Sequence, residues 1–249
     1  MHFAKIDLNA DLGEGVGNDD EMMRYISSAN IACGGHAGDD DTIQHAIDQA
    51  LSNQVTIGAH PGFEDKENFG RVRLDLEANE LVDQVTRQLT RFEQWAAQAG
   101  TTTKYVKLHG ALANMTAEDE ALANVALGAV KAFSPNMTIL ALANSMQSKI
   151  GRELGLPVID EAFADRAYTR DGQLASRALA GAVLSDEQQV LDHVSKLLKT
   201  GRIDTIEGEQ IALNARSICL HGDNPHALAL AERIRNLVID CQVEISAFA

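Results

Sequence analysis

One pattern recurs along the chain: a short apolar run, a polar loop carrying glycine, then apolar residues at intervals of three or four. The opening run, 5–12, alternates. Ile6 and Leu8 point one way and Asp7, Asn9 and Asp11 the other, the period of a strand with one polar face. Further strands are predicted over 29–33, 55–59, 105–108, 137–142, 158–159, 217–220 and 243–248. Between them, helical spacing is strongest in 77–99, where Leu81, Val85, Leu89, Phe92 and Ala96 form a stripe ended by Gly100. Thr42 is placed as the cap of a helix burying Ile43, Ala46, Ile47, Ala50 and Leu51, with His45 off the stripe and solvated. Shorter helices are predicted over 21–26 and 145–154. Thr116 to Asp119 reads as a capping box for a helix burying Leu122, Val125, Ala126, Ala129 and Phe133. Two late helices follow, one from Ser185 with Val190, Leu191, Val194 and Leu198, one from Pro225 with Ala227, Ala231, Ile234 and Val238. Residues 208–215 fit no pattern.

Strands alternating with helices predict a parallel sheet. Seven or eight such units in 249 residues, with no linker or fixed-period repeat, favour a closed α/β architecture: one TIM-like β/α barrel domain over 1–249, seven-stranded by expectation. The site of such a barrel lies where the strands end. Four of the eight histidines stand there beside glycine: His36 after Gly34 and Gly35, His60 before Pro61 and Gly62, His109 before Gly110, and His221 before Gly222. The loop 63–74 is long enough to be a functional element.

Charge narrows the partners. A net charge of −15 and 4% aromatic residues argue against nucleic acid or an anionic membrane as partner. No apolar run approaches the ~20 residues of a membrane span. The start of the chain, acidic at Asp7 and Asp11, does not read as an export signal, so a cytoplasmic location is expected. Cys33, Cys219 and Cys241 have no CxxC spacing. They read as buried packing residues in a reducing compartment.

The polar residues collected at the predicted mouth are Asp7, Asn9, Asp11, Glu14, His36, His60, Lys107, His109, Arg166, Arg170 and His221. Two chemistries fit. Asp11, His36 and His60 are suitable ligands for a divalent metal, although no local metal motif such as HExxH is present. General acid–base catalysis by histidine, tuned by Asp11 or Glu14, is the rival. Lys107 shares a strand face with His109, so its ammonium points inward. A salt bridge to a carboxylate such as Asp7, or a role toward substrate, would keep that charge there. Arg166 and Arg170 are either clamps for a substrate carboxylate or solvated loop charges.

Taken together, Asp7-Leu-Asn-Ala-Asp-Leu-Gly-Glu14, Ala29 to Asp39 with its Cys33-Gly-Gly-His36 core, Gly58-Ala-His-Pro-Gly62, Phe69-Gly-Arg71, Val106-Lys-Leu-His-Gly-Ala-Leu112, Glu161 to Tyr168 and Leu220-His-Gly-Asp223 resemble the LamB/YcsF family. The blocks run in family order over nearly the whole chain. The resemblance implies a barrel of the glycoside hydrolase/deacetylase type. It also implies the A-subunit role in prokaryotic 5-oxoprolinase, an ATP-dependent cyclic amide hydrolase opening 5-oxoproline to L-glutamate with subunits B and C. Catalytic roles are then expected at Asp11, His36, Lys107 and His109. Substrate contacts are expected at Asn9, Glu14, His60, Arg166 and His221. No ATP motif is recognisable, so the nucleotide site is not located in this chain. A metal-dependent amidase or deacetylase working without ATP, and a non-catalytic substrate-binding subunit, are the alternatives.

Overall fold

The structure, a computed structural model, describes residues 3–220 and 227–249. In chain order the elements are β1 (Lys5–Leu12), α1 (Asp19–Met22), β2 (Ser28–Ala32), α2 (Asp40–Ser52), β3 (Thr56–His60), α3 (Ala78–Gln98), β4 (Tyr105–Val106), α4 (Gly110–Glu118), α5 (Glu120–Phe133), β5 (Thr138–Leu142), α6 (Met146–Glu153), β6 (Val158–Phe163), α7 (Glu187–Thr200), β7 (Arg202–Asp204), β8 (Gln210–Ala212), β9 (Ser217–Leu220), α8 (Ala227–Asp240) and β10 (Glu244–Ile245).

Strands β1 to β6 pair in sequence and in parallel. β9 then lies between β6 and β1 and closes a seven-stranded barrel. β10 adds to the first residues of β1 outside that ring, Lys5 opposite Glu244. The closed parallel barrel expected from the alternation of strands and helices is the one found. Among the described residues no helix is long and apolar enough to cross a membrane.

The period of two decides which side chains enter the barrel. Ile6, Leu8, Ala10 and Leu12 face out and join the main core under the helices. Asp7 and Asn9 face in and are buried at 1% and 0% exposure, a strand whose two faces are packed in different media. Tyr105, Leu140 and Ile159 form a separate apolar cluster with Phe248 of the C-terminal tail. Tyr105 and Ile159 each stand two residues before an inward polar group, Lys107 and Glu161. The apolar cluster therefore plugs the barrel below the polar layer. The Tyr105 ring packs over Gly58, where a Cβ would lie 2.3 Å from its carbons.

The helical stripes hold as read for α3, α7 and α8, whose named apolar residues are all buried. Leu51 departs: at the end of α2 it is exposed. Asp39, not Thr42, caps α2. Its carboxylate accepts from Thr42 N while the Thr42 hydroxyl accepts from Asp39 N. The box expected at Thr116 is also corrected. Thr116 lies inside α4 and its hydroxyl donates to Leu112 O, and Asp119 alone caps α5. The helix expected over 21–26 is α1, one turn starting earlier, and the closing strand is two residues rather than six. Residues 208–215, which show no pattern in sequence, supply β8. It pairs antiparallel with β7 in a small ribbon outside the barrel, too short to carry a period. Pro225 lies outside the described residues.

Candidate active site

The carboxyl ends of β1, β3, β4 and β6 converge on one pocket, lined among others by Asp11, Glu14, His60, Arg71, Lys107, His109, Phe163, Arg166 and Arg177. Beneath it the barrel interior is a hydrogen-bonded polar network. Lys107 Nζ lies 2.8 Å from Glu161 Oε1 and 3.0 Å from Asp11 Oδ1, and donates to Asn9 Oδ1 at 3.2 Å. Asn9 in turn donates to Glu161 and to Ser217, and Asn30 donates to Asn9 and to Asp11. Tyr105 donates its hydroxyl to Asn30 Oδ1 at 2.7 Å. A buried ammonium with two carboxylates and a full set of acceptors is the arrangement that keeps a charge in a low-dielectric interior. Burial alone would lower the Lys107 pKa, but the Asp11 and Glu161 carboxylates hold it well above the usual lysine value.

The salt bridge expected between Lys107 and Asp7 is corrected. Asp7 sits one layer lower and accepts from the hydroxyls of Ser27, Ser28 and Ser217. Without a cation beside it, burial raises its pKa to about 6 against the lowering effect of the serines.

Five side chains form the upper layer. His60, the last residue of β3, points Nδ1 at Lys107 O, 2.8 Å away. His109, just before α4, points Nε2 at Phe69 O at 2.9 Å. Their other nitrogens, His60 Nε2 and His109 Nδ1, face each other at 3.0 Å. Glu14 Oε1 is 3.6 Å from His109 Nδ1 and 3.1 Å from His36 Nε2, and Asp11 Oδ2 is 3.4 Å from His60 Nε2. Ligand atoms of Glu14, His36, His60 and His109 all lie within 4.8 Å of one another, so this cluster could hold a metal ion.

Electrostatics separates these groups. Burial would raise Asp11, but His60 and Lys107 more than offset it and hold its carboxyl well below the usual carboxylate range. Burial, with the Asp11 charge beside it, raises Glu14. Burial, then the neighbouring His60, lowers His36 to about 2 and His109 to about 3. Burial likewise pushes the thiols of Cys33 and Cys219 up, so both are protonated packing residues.

The sequence-derived candidates thus separate by depth. Asp11, Glu14, His60, Lys107, His109 and Arg166 line the pocket. Asn9 and His36, both 0% exposed, lie behind it: Asn9 in the network under Lys107, His36 stacked on the far side of His109. Arg166 is buried and donates to Ala175 O and Ala182 O, which pins the loop after β6 while leaving the residue on the pocket wall. Arg170 is exposed, 3.8 Å from Glu209. His221 lies outside the described residues.

Sequence reasoning misses several residues of the site. It ends the strand before Glu161 and puts that residue on a loop, but β6 runs to Phe163 and Glu161 faces inward with it. A carboxylate two residues before an aromatic at a strand end is the available signal. Gln88 of α3 donates to Gly62 O and accepts from Gly62 N, fixing the turn after His60. Arg177 has no signal, because its place depends on how the loop after β6 folds back.

The fold and site define a parallel β/α-barrel protein with a histidine–carboxylate centre at its strand ends. The chain belongs to the LamB/YcsF family, whose profile matches residues 6–249. It is 42% identical over 246 residues to the 5-oxoprolinase A subunit of Alkaliphilus metalliredigens, covering 97% of this chain and 96% of that one. It superposes on the lactam utilization protein of Thermus thermophilus with a TM-score of 0.92 at 34% identity, over 98% of this chain and 100% of the other. T48 deacetylase, determined with substrate, shares the fold at TM-score 0.52 and 10% identity, over 98% of this chain and 87% of that one.

Proposed function

We propose that this protein is the A subunit of a 5-oxoprolinase, opening the lactam ring of 5-oxoproline to L-glutamate with ATP and with partner subunits B and C. The observation that carries the reading is the whole-length identity to relatives bearing that name. The pocket supports it chemically. A lactam is a stable amide, and phosphorylation of its oxygen would make the carbon attackable by water. The ring C–N bond then breaks, leaving an acyl phosphate that is hydrolysed to the free acid. Such a site needs a base for water, cations for developing negative charge, and a proton for the leaving nitrogen.

In this reading Asp11 takes the proton from water. Lys107, held between Asp11 and Glu161, stabilises oxyanion charge at the pocket floor, and His109 lies beside it. Arg166 meets the substrate carboxylate from the pocket wall. Glu14 and His60 border the bound ring, and His36 and Asn9 act as positioning residues for Glu14 and Lys107. A divalent ion held by the histidine–carboxylate cluster would supply Lewis acidity at the same place.

The test is 5-oxoproline-dependent ATP hydrolysis with direct detection of glutamate, on the chain alone and with subunits B and C. Glutamate and ADP appearing only in the full mixture is the expected result. No turnover with verified partners, together with chelator-sensitive hydrolysis of simple amides without ATP, overturns the reading in favour of a metal-dependent amidase.

A further inference from the structure

His60 and His109 each present one ring nitrogen to a backbone carbonyl: His60 Nδ1 to Lys107 O at 2.8 Å, His109 Nε2 to Phe69 O at 2.9 Å. A carbonyl only accepts, so each of those nitrogens carries the hydrogen. In a neutral imidazole the other nitrogen is then a lone pair. The two lone-pair nitrogens, His60 Nε2 and His109 Nδ1, are the ones that face each other at 3.0 Å. Glu14 Oε1 lies 3.6 Å from His109 Nδ1, and Asp11 Oδ2 lies 3.4 Å from His60 Nε2. These acceptors repel one another unless a positive centre, an added proton on His60 or a metal ion, sits among them.

The spacing says which kind of centre. Ligand atoms about 2.0–2.1 Å from a tetrahedral zinc ion lie roughly 3.3 Å from one another. The separations around His109 Nδ1, 3.0 Å to His60 Nε2 and 3.6 Å to Glu14 Oε1, bracket that value. The surroundings agree. A histidine that binds a metal through one nitrogen characteristically donates the other N–H to a carbonyl, and both do so here. Glu14 is oriented by His36 Nε2 at 3.1 Å, and Asp11 spends its other oxygen on Lys107 and Asn30, leaving Oδ2 for the cluster. His36 Nδ1 is buried with no hydrogen-bond partner among the described residues, and Nε2 is the nitrogen that meets Glu14.

We propose that His60 Nε2, His109 Nδ1 and Glu14 Oε1 bind one divalent cation of the zinc class. The inference deepens the reading above by naming the atoms that would hold the ion. It is tested on the purified full chain without substrate, nucleotide or partner, so its failure and that of the lactam reading are separate results.

The experiment is titration of chelator-treated protein with Zn²⁺ and Co²⁺, followed by calorimetry, metal analysis and the visible spectrum of Co²⁺. One ion per chain is expected, with a Co²⁺ spectrum of low-symmetry nitrogen–oxygen coordination. His60→Asn and His109→Asn should each weaken binding by at least about 100-fold, and His36→Ala by roughly 10–100-fold, as expected for a residue that orients a ligand. His45→Asn, on the exposed face of α2, should bind as the parent does. Circular dichroism on each variant checks that it is folded. Failure of the folded parent chain to bind either ion at millimolar concentration overturns the proposal, as does binding indifferent to His60→Asn and His109→Asn. So does nitrogen NMR showing His60 protonated at both nitrogens with and without Zn²⁺, because a shared proton would then be the positive centre.

Discussion

The His36 imidazole lies parallel to that of His109, with ring centres 3.6 Å apart and planes 5° apart, yet of the two only His109 lines the pocket. Two identical side chains, each beside a glycine in sequence, are given different tasks by depth. His36 supports the ring in front of it and anchors Glu14, so its effect on chemistry is transmitted rather than direct.

His36→Ala should therefore lower kcat of the reconstituted enzyme about 10–100-fold while leaving KM much less changed. His36→Gln, whose amide can still reach Glu14, should recover part of the loss. Steady-state kinetics on folded variants measure this. An unchanged kcat in His36→Ala would remove the positioning role.

Lys107→Met leaves Asp11 and Glu161 facing each other without their shared cation. Breaking a buried pair from one side costs about 3–5 kcal/mol. Adding Glu161→Gln should return part of it, because the Glu161 charge is 2% exposed and otherwise unmatched. Urea unfolding of the single and double variants decides. A double variant less stable than the single one would contradict this account of the network.

The Asp7 carboxyl has a folded pKa of about 6 against an ordinary value of 3.8. The folded state therefore holds the proton more tightly than the unfolded state does. The stability this contributes is present below pH ~4 and is lost as pH rises to ~6, on the order of 3 kcal/mol in all. Asp7→Asn removes that decline. The Tm of the variant minus that of the parent should rise between pH ~4 and ~6.5 and stay level above. The depressed histidines His36 and His109 act in the opposite direction as pH falls below their ordinary value of 6.5, but both chains carry them and the difference cancels their effect. A difference that is flat with pH would show that Asp7 is not titrating in this range.

Gly70 has φ +61°, and a Cβ there would lie 2.7 Å from His36 Cβ. Its neighbour Phe69 supplies the carbonyl that fixes His109 Nε2. Gly70→Ala should cost stability and also activity, since relief of the clash moves that carbonyl. Gly155 has φ +76° with open space around it, so Gly155→Ala should cost about 1–3 kcal/mol of strain with activity unchanged. Thermal melts and activity on the pair distinguish them, and loss of activity in Gly155→Ala would break the contrast.

The alternation in β1 is legible because polarity changes with every residue: Asp7, Asn9 and Asp11 could only share a face. His36, His60 and His109 are legible because glycine beside histidine at the end of an apolar run marks a strand end. Glu161 is not, since β6 starts with mixed polarity and the strand's true length depends on pairing with β5 and β9. The error at Thr116 has a similar origin. The local box chemistry is satisfied on paper, but α4 continues through it and takes Thr116 into its interior.

By itself the sequence determined the barrel, through the repetition of strand and helix periods, and the end of the barrel where polar chemistry gathers. Both follow from local rules, because side-chain direction in a strand and a helix is set by the backbone. Only the tertiary structure decided that Lys107 pairs with Asp11 and Glu161 rather than Asp7, that His36 stands behind His109, and that two histidine nitrogens meet at 3.0 Å. Those relations join residues 49 to 96 positions apart, carried on different strands or the loops that follow them. Their distances are fixed by barrel closure and by which carbonyl each ring must satisfy, and neither is written in any local stretch of the chain.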